Sequence, residues 1–429
     1  MSAQPWEGRR IHLIGIGGAG MRGWARVAVQ LGAVVSGSDQ ADSPGLEHLR
    51  ALGVEVHVGH RAENVPPGAD VFHSTAVPED NPERALGSRP RADLLRELTA
   101  LKRVIAVAGA HGKTTTTSMA AHALLGAGMT PGYLIGGALR TTGENADWGD
   151  GEWLVVEADE SDRSMLALDV AVAVVLNIEL DHHATYGSLA ELTAVFDAFR
   201  AAAPQRVVAP ELAREGDITF APEELVLEPG GSRFRWHGHD VRLRVPGAHN
   251  ARNAAAALEA CRLTGADEAA LVRALADFAG AGRRFERLGE TPSGAVVVDD
   301  YAHHPTEVAA TIAAARSLEP RRLIACFQPH LFSRTRELHR EFGAALAGAD
   351  VACVLDVYPA RERAEDFPGI SGRLVAEAAA DAAGGRTVLW LPTHDDALRV
   401  LAPRLRAGDL VLVLGAGDVD RLGRALAAG

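Results

Sequence analysis

The chain has 429 residues, 47% of them hydrophobic and 23% charged, which places it among ordinary globular proteins and leaves room for about three domains. Fifty-six acidic against 43 basic residues give a formal net charge of -13, so no broad basic field exists to hold a nucleic-acid backbone and any anionic ligand must be gripped locally. No apolar run reaches the ~18 residues of a membrane span, Met1 to Arg10 lacks an apolar signal region, and Cys261, Cys326 and Cys353 lie far apart without metal-ligand spacing, which points to structural thiols in a reducing, cytoplasmic compartment.

Short β-branched runs alternate with Ala/Leu-rich helical stretches almost throughout, the pattern of βαβ units around parallel sheets. The fold class is therefore α/β. Three buried-strand runs open into small-residue loops and then helices, at Ile11 to Gly15, Val104 to Gly109 and Leu410 to Gly417. The stretch Asp93 to Lys102 reads as an amphipathic helix, with Leu94, Leu95, Leu98 and Leu101 on one stripe, and predicts a boundary near residue 101. A hairpin is expected over Arg233 to Val245, its runs joined by His237 to Asp240. A second boundary falls near Ala281 to Arg284, after which a new strand series starts at Val296. Three domains follow: an N-terminal Rossmann-like domain over 1–101, a central P-loop ATPase-like parallel sheet over 102–282, and a C-terminal Rossmann-like domain over 283–429.

The first loop, Gly15-Ile16-Gly17-Gly18-Ala19-Gly20, follows the strand His12-Leu13-Ile14, and Asp39 ends the next strand. Glycines let a diphosphate approach the backbone, the helix start offers free amides, and Asp39 suits a ribose hydroxyl. The same spacing fits an NAD fingerprint, or a tight turn with no ligand. The second loop, Ala108-Gly109-Ala110-His111-Gly112-Lys113-Thr114-Thr115, lacks the outer glycine of the general P-loop but keeps Gly-Lys-Thr at a helix start. Its amides cradle phosphate oxygens, the Lys113 ammonium neutralises β/γ charge, and the Thr114 hydroxyl can ligate Mg²⁺. Lys102 and Lys113 are the only lysines in the chain, so Lys113 stands where a compact point charge is needed rather than a guanidinium fork.

Two acidic clusters come next, Glu157 to Asp162 and Asn177 to His183, each at the end of a strand. Ligands of parallel sheets gather at carboxyl strand ends, and a divalent cation reconciles acids with a phosphate loop. His182, beside acids at a strand end, reads as a metal ligand or else as a helix cap. Downstream, Asn250 and Asn253 suit a purine edge or a helix cap. Arg284 can reach a γ-phosphate and Asp300 a ribose, while Arg334, after Gln328-Pro329-His330, can clamp a carboxylate or start a solvated helix.

Taken in order, the glycine loop through Met21, the Gly-Lys-Thr loop, Glu157 to Asp162, Asp299 to Pro305 and Gln328-Pro329-His330 resemble the Mur ligases over nearly the whole chain, most closely the branch that adds the first amino acid. The resemblance implies ATP-dependent ligation of L-alanine to the carboxylate of UDP-N-acetylmuramate through an acyl phosphate, with Mg²⁺, by a cytoplasmic monomer or homodimer in peptidoglycan precursor synthesis. By resemblance, Gly17, Gly18, Ala19, Gly20 and Met21 would meet the UDP-sugar diphosphate, with Asp39, Ser74 and Thr75 nearby. Gly109, Ala110, His111, Gly112, Lys113, Thr114 and Thr115 would bind ATP together with Asn250, Asn253, Arg284 and Asp300. Thr114, Glu157 and His182 would hold the metal, and Tyr301, His303 and Arg334 would lie near the alanine, His303 as a base. Domain closure about hinges near 101 and 282 would bring the substrates into line.

The chain departs from its relatives in three places. Ala110 stands where they commonly carry Thr or Asn, Leu331 replaces an arginine found in some, and no lysine after Lys113 is available for the carbamylated metal-holding lysine of several sister ligases. Three other readings compete: a ligase that joins a whole tripeptide to the same UDP-sugar, a non-catalytic nucleotide-sugar binder, and a nicotinamide-dependent dehydrogenase. The second phosphate loop is unexplained by a dehydrogenase, and the Gly-Lys-Thr, Glu157 and His182 set disfavours a dead binder.

Overall fold

The computed structural model describes residues 4–181 and 185–429. These residues form two compact units, one of Met1–Glu179, Leu189–Ala221 and Asn253–Leu275, the other of Leu180–Ser188, Pro222–Arg252 and Ala276–Gly429. Four sheets carry the architecture. No helix among the described residues is long and apolar enough to cross a membrane.

The first unit opens with a parallel sheet of order β3-β2-β1-β4-β5, formed by β1 (Arg10–Ile14), β2 (Val34–Asp39), β3 (Glu55–Val58), β4 (Asp70–His73) and β5 (Arg89–Pro90). Its helices are α1 (Ala19–Gln30), α2 (Pro44–Ala51) and α3 (Arg91–Thr99). Because β1 is flanked by β2 and β4, the chain winds away on both sides of it, and the glycine loop sits at the switch point where such sheets take ligands. The helix expected over Asp93 to Lys102 forms as α3 and buries Leu94, Leu95 and Leu98. It ends earlier than the stripe suggests, leaving Leu101 42% exposed. Lys102 instead donates to the carbonyls of Trp148 and Gly149 at 2.8 and 2.9 Å, a tertiary contact that draws the chain off the helix axis toward the next strand.

The second sheet has the order β12-β11-β10-β6-β9-β7-β8. Its strands are β6 (Arg103–Ala108), β7 (Gly132–Leu134), β8 (Ala146–Asp147), β9 (Trp153–Glu157), β10 (Val172–Val175), β11 (Gln205–Val208) and β12 (Ile218–Thr219). All pairs are parallel except β7 with β8. Strand β6 lies between β9 and β10, so the loops after all three stand side by side at one sheet edge. The helices here are α4 (Lys113–Gly126), α5 (Leu189–Ala202), α6 (Ala248–Arg262), whose first residues belong to the second unit, and α7 (Glu268–Leu275). Helix α4 is buried on every side from Thr114 through Leu124, which explains its small, even composition and the absence of an apolar stripe.

The second unit contains an antiparallel sheet of β13 (Glu223–Glu228), β14 (Gly231–Trp236) and β15 (His239–Leu243). The expected hairpin is β14 with β15, but its turn is shorter than expected. His237 and Gly238 take φ of 45° and 80°, the two-residue turn whose twist matches the flanking strands, so His239 and Asp240 pair with Trp236 and Arg235. Strand β13, mostly exposed, has no buried face to imprint an alternation on its sequence.

The last sheet runs β16-β17-β21-β18-β19-β20. Its members are β16 (Glu286–Glu290), β17 (Val296–Asp300), β18 (Arg322–Phe327), β19 (Val351–Val354), β20 (Thr387–Trp390) and β21 (Asp409–Leu414), with helices α8 (Pro305–Arg316), α9 (Phe332–Leu346), α10 (Gly372–Ala382), α11 (His394–Leu401) and α12 (Asp420–Ala428). The strand series begins before Val296, because β16 adds an antiparallel edge to an otherwise parallel sheet. Successive strand residues feed two cores. Val298, Leu323, Ala325 and Leu412 pack on one face and Val297, Ile324, Cys326 and Val411 on the other, each fully buried large aliphatic side chain contributing about 1.5–3 kcal/mol. The thiols are free and buried, as expected. Cys326 and Cys353, far apart in sequence, are register partners across β18 and β19.

Candidate active site

Strand β6 delivers the Gly-Lys-Thr loop to the start of α4. Gly109 and Gly112 have φ of 150° and 84°, values that only glycine adopts freely. A side-chain carbon on Gly112 would lie 2.6 Å from Asn253 Oδ1, so the asparagine on α6 packs directly against the loop. Asn177, after β10, clamps the loop from the other side: its Oδ1 accepts from His111 N at 2.9 Å and its Nδ2 donates to His111 O at 3.0 Å. The first helical bond runs from Thr116 N to Gly112 O at 2.9 Å, and the amides ahead of it are the donors that a helix start presents to phosphate.

The charges are placed to match. Lys113 Nζ donates to Gly109 O at 2.6 Å and to Glu160 Oε1 at 2.9 Å. Burial acts to lower its pKa, but Glu160, Asp159 and Glu157 outweigh it and hold the ammonium above its ordinary value. Desolvation acts to raise half-buried Asp159, yet Arg91 and Lys113 bring it down to about 2. The Thr114 hydroxyl donates to the Glu157 carboxylate at 3.0 and 3.1 Å, and Glu157 Oε2 accepts from Gly136 N at 2.7 Å. A hydroxyl and a carboxylate at the mouth of a phosphate loop are the hard oxygen donors that Mg²⁺ takes, usually one or two from protein and the rest from phosphate and water. His182, the third expected metal ligand, lies outside the described residues.

The first glycine loop is braced from within. Asp39 Oδ2 accepts from Gly17 N and Oδ1 from Gln40 N, both at 2.8 Å, so the carboxylate expected at a ribose holds the loop's shape. Gly15, at φ 77°, would meet Val77 and Ser74 at 3.0 and 3.1 Å with a side chain. Gly18 caps α1 with no side-chain bond, which leaves the helix start to Gly18, Ala19 and Gly20. Met21, expected at the diphosphate, is 1% exposed, so its side chain belongs to the core and only its backbone can serve a ligand. Ser74 is half-buried at the end of β4 and Thr75 is exposed.

Beneath this loop lies a residue that sequence reasoning missed. Glu83 is buried and accepts from Arg61 N at 2.9 Å, from Asn64 Nδ2 at 2.7 Å and from the Ser38 hydroxyl, with His12 Nε2 at 3.3 Å. Burial alone would raise its pKa, but these bonds push it down to about 2 from an ordinary 4.5. A carboxyl depressed in the folded state contributes stability above its unfolded pKa and loses it as pH falls through the folded value. Glu83→Gln is therefore expected to flatten the loss of stability between about pH 5 and 2, read as urea midpoints at stepped pH; an unchanged acid limb would assign that loss to other carboxylates.

In the second unit, β17 ends at Asp300, whose Oδ2 accepts from Phe285 N and Oδ1 from Ala302 N, both at 2.8 Å. Burial pushes Asp300 up to about 6, against Arg284 and those two amides. Arg283 donates to Asp299 Oδ2 at 3.0 Å and to the Gly417 and Gly415 carbonyls at 3.0 and 2.8 Å, tying this turn to the third small-residue loop. Tyr301 lies under the guanidinium groups of Arg283 and Arg284 at 5.0 and 5.1 Å. His303 meets Tyr301 edge-on with ring centres 5.4 Å apart. Its Nδ1 donates to Tyr301 O at 3.0 Å, which leaves Nε2 as the basic nitrogen. Burial lowers its pKa to about 4, with Glu307 opposing, so it is neutral throughout the neutral range.

Helix α8 starts with a full capping box, His304 with Glu307, and Pro305 in its first turn. Asn250, the third residue of α6, is buried and donates to Pro246 O at 2.7 Å, a bond back to the chain ahead of the helix and not an N-cap, whose side-chain oxygen would accept from a helix amide. Arg334, expected at the incoming carboxylate, donates from Nε and Nη2 to the two Asp181 oxygens at 2.9 and 3.0 Å. Its Nη1 is 3.2 Å from His330 Nδ1. Tyr301, His303, His330 and Arg334 are thus neighbours in the second unit, and Lys113, Thr114, Glu157, Glu160 and Asn253 are neighbours in the first.

Comparison with known proteins identifies the family. The model described as "Mur ligase family, catalytic domain" matches residues 10–107, and "Mur ligase, glutamate ligase domain" matches residues 283–417. Relatives from Acidithiobacillus ferrooxidans and Streptomyces coelicolor, both named UDP-N-acetylmuramate--L-alanine ligase, are 44% identical, with 96% of each chain covered. The crystal structure of a UDP-N-acetylmuramate-alanine ligase from Thermotoga maritima superposes with a TM-score of 0.84 at 27% identity, over 97% of this chain and 98% of that one. A murein peptide ligase from Psychrobacter arcticus shares the fold at a TM-score of 0.69 and 24% identity, over 98% of both chains. The chain belongs to the Mur ligase family and has its three-domain α/β fold.

Proposed function

We propose that this enzyme joins L-alanine to the carboxylate of UDP-N-acetylmuramate at the expense of ATP, releasing ADP and phosphate, in cytoplasmic peptidoglycan precursor synthesis. The observation that carries the reading is the Lys113, Thr114, Glu157 and Glu160 cradle at the start of α4, in a chain alike end to end to relatives that bear this activity's name. The three domains are assigned as 1–101 for the UDP-sugar, 102–282 for ATP and 283–429 for the amino acid. The chain acts as a monomer or homodimer.

A carboxylate and an amine do not condense in water, so the acid must first be activated. Its oxygen attacks the γ-phosphorus of ATP, the bond to the β-phosphate oxygen breaks, and an acyl phosphate forms. Lys113, kept protonated by its acidic neighbours, neutralises charge that grows on the phosphate oxygens, and the loop amides hold those oxygens in place. Thr114 and Glu157 would hold Mg²⁺, which supplies further charge neutralisation at the phosphates. The neutral amine of L-alanine then attacks the acyl carbon, and phosphate leaves. His303, neutral with Nε2 available, is the base assigned to the amine proton.

The test is phosphate release by purified protein with ATP, Mg²⁺ and UDP-N-acetylmuramate, comparing L-alanine, the stem tripeptide and no acceptor. Release that depends on L-alanine, with the coupled product seen by mass, is expected. Release that needs the tripeptide would transfer the chain to the tripeptide-joining branch, and silence with both would favour a nucleotide-sugar binder.

A further inference from the structure

Arg91, at the first position of α3, joins two loops that the mechanism treats separately. Its side chain is 15% exposed. One edge of the guanidinium is committed to the acidic loop after β9: Nε donates to Asp162 Oδ2 at 2.8 Å and Nη2 to Asp159 Oδ2 at 2.9 Å, with Nη2 also 2.6 Å from Asp162 Oδ2. The other edge faces α1. Nη1 lies 3.8 Å from where a side-chain carbon on Gly20 would stand, and the guanidinium lies 5.5 Å from the centre of the Trp24 ring.

The acidic loop is rigid where Arg91 holds it. Ser161 N donates to Asp159 Oδ1 at 2.9 Å and Ser164 N to Asp162 Oδ1 at 3.0 Å. Between the two aspartates sits Glu160, the partner of Lys113 at 2.9 Å. Arg91 thus stands beside the start of α1 and is bonded to the acidic loop, whose Glu160 is bonded to the phosphoryl-transfer lysine. Guanidinium is the group that can do this, because its planar fork binds carboxylates along one edge while another nitrogen remains to donate elsewhere. A helix start such as that of α1 is where a diphosphate binds.

We propose that Arg91 donates through Nη1 to a diphosphate oxygen of the UDP-sugar while its other edge fixes Asp159 and Asp162, so that sugar-nucleotide occupancy positions Glu160 and Lys113 for ATP. The proposal rests on the assignment of UDP-N-acetylmuramate to the first glycine loop. Arg91 is a positioning residue for the phosphoryl transfer, since it reaches ATP only through Lys113.

Positioning of this kind is a coupling between two binding events and is reciprocal. Calorimetry of a non-hydrolysable ATP analogue, with and without saturating UDP-N-acetylmuramate, measures it. The wild-type protein is expected to bind the analogue at least about fivefold more tightly in the presence of the sugar nucleotide, the lower range of such couplings. In Arg91→Ala the factor should fall to about one, and UDP-sugar affinity should drop by about ten- to a hundredfold, the loss of a charge-assisted bond. Arg91→Lys keeps a charge near the loop but not the fork, so it should recover part of the sugar affinity without the coupling. Asp159→Asn combined with Asp162→Asn keeps Arg91 and removes both carboxylates that it holds, so it should lose the coupling while sugar affinity stays within about twofold. That variant carries the test if Arg91→Ala does not fold. Coupling retained in the Asp159→Asn, Asp162→Asn double variant or in folded Arg91→Ala, or absent from the wild type, would overturn the proposal. A wild-type protein that neither binds UDP-N-acetylmuramate nor turns over with it would instead remove the underlying assignment.

Discussion

Lys113→Ala should lower ATP-dependent turnover by about 10²–10³-fold or more, the usual effect of deleting one preorganised charge that meets a transferring group. UDP-sugar affinity in the absence of nucleotide should be unchanged, because the first glycine loop is braced by Asp39 and makes no use of Lys113. The same substitution takes from a buried acid the ammonium it is bonded to. Glu160 is 2% exposed and Lys113 is its partner at 2.9 Å, so removing the ammonium also costs stability, by an amount on the order of 3–5 kcal/mol for a buried pair broken on one side. The two effects separate in Lys113→Met combined with Glu160→Gln, which removes both charges. Thermal stability should return toward that of the parent while turnover stays lost. Turnover within tenfold of wild type in either variant, by phosphate release, would dismiss Lys113 as the phosphoryl-transfer cation.

Arg334 and Asp181 should give the second large effect, on stability first. Both side chains are nearly inaccessible, at 4% and 5% exposure, and the pair is held by two bonds. Arg334→Met or Asp181→Asn alone should destabilise by about 3–5 kcal/mol, since each takes from a buried ion the opposite charge it is doubly bonded to. Replacing both, with Arg334→Met and Asp181→Asn, should be much milder than the sum of the two, because the desolvation of both ions disappears together. Denaturant midpoints of the four proteins form the cycle, and additive losses would mean that the two side chains do not depend on each other. Against the expectation of an alanine-carboxylate clamp, the cycle has a kinetic arm. If Arg334 also meets the amino acid, the double variant should recover stability and still show a raised KM for L-alanine.

The chemistry-bearing loops were legible because each is a local event: a β-branched run, glycines that permit the turn, and a helix start, all within a dozen or so residues along the chain. Lys113 stood out for being a lysine in an arginine-rich protein, and Glu157 for its place at the end of a strand. Helix α3 was recognised from its leucine stripe, yet Leu101 belonged to the pattern and not to the helix, since periodicity cannot register the carbonyls that capture Lys102. Strands β13 and β16 were missed because edge strands with exposed faces carry no alternation.

The sequence by itself determined the α/β class, the glycine-rich loops between strand and helix, and the family, since all three rest on short-range patterns of residue size and polarity. Only the tertiary structure decided which charges answer one another. Glu83 is joined to Ser38 and His12, Arg91 to Asp159 and Asp162, Arg283 to the Gly415 and Gly417 carbonyls, and Arg334 to Asp181, over separations from 45 to 153 residues among the acid pairs. A buried charge takes its partner from whatever the packing of strands and helices brings within about 3 Å, and that is a property of the fold as a whole rather than of any stretch of chain.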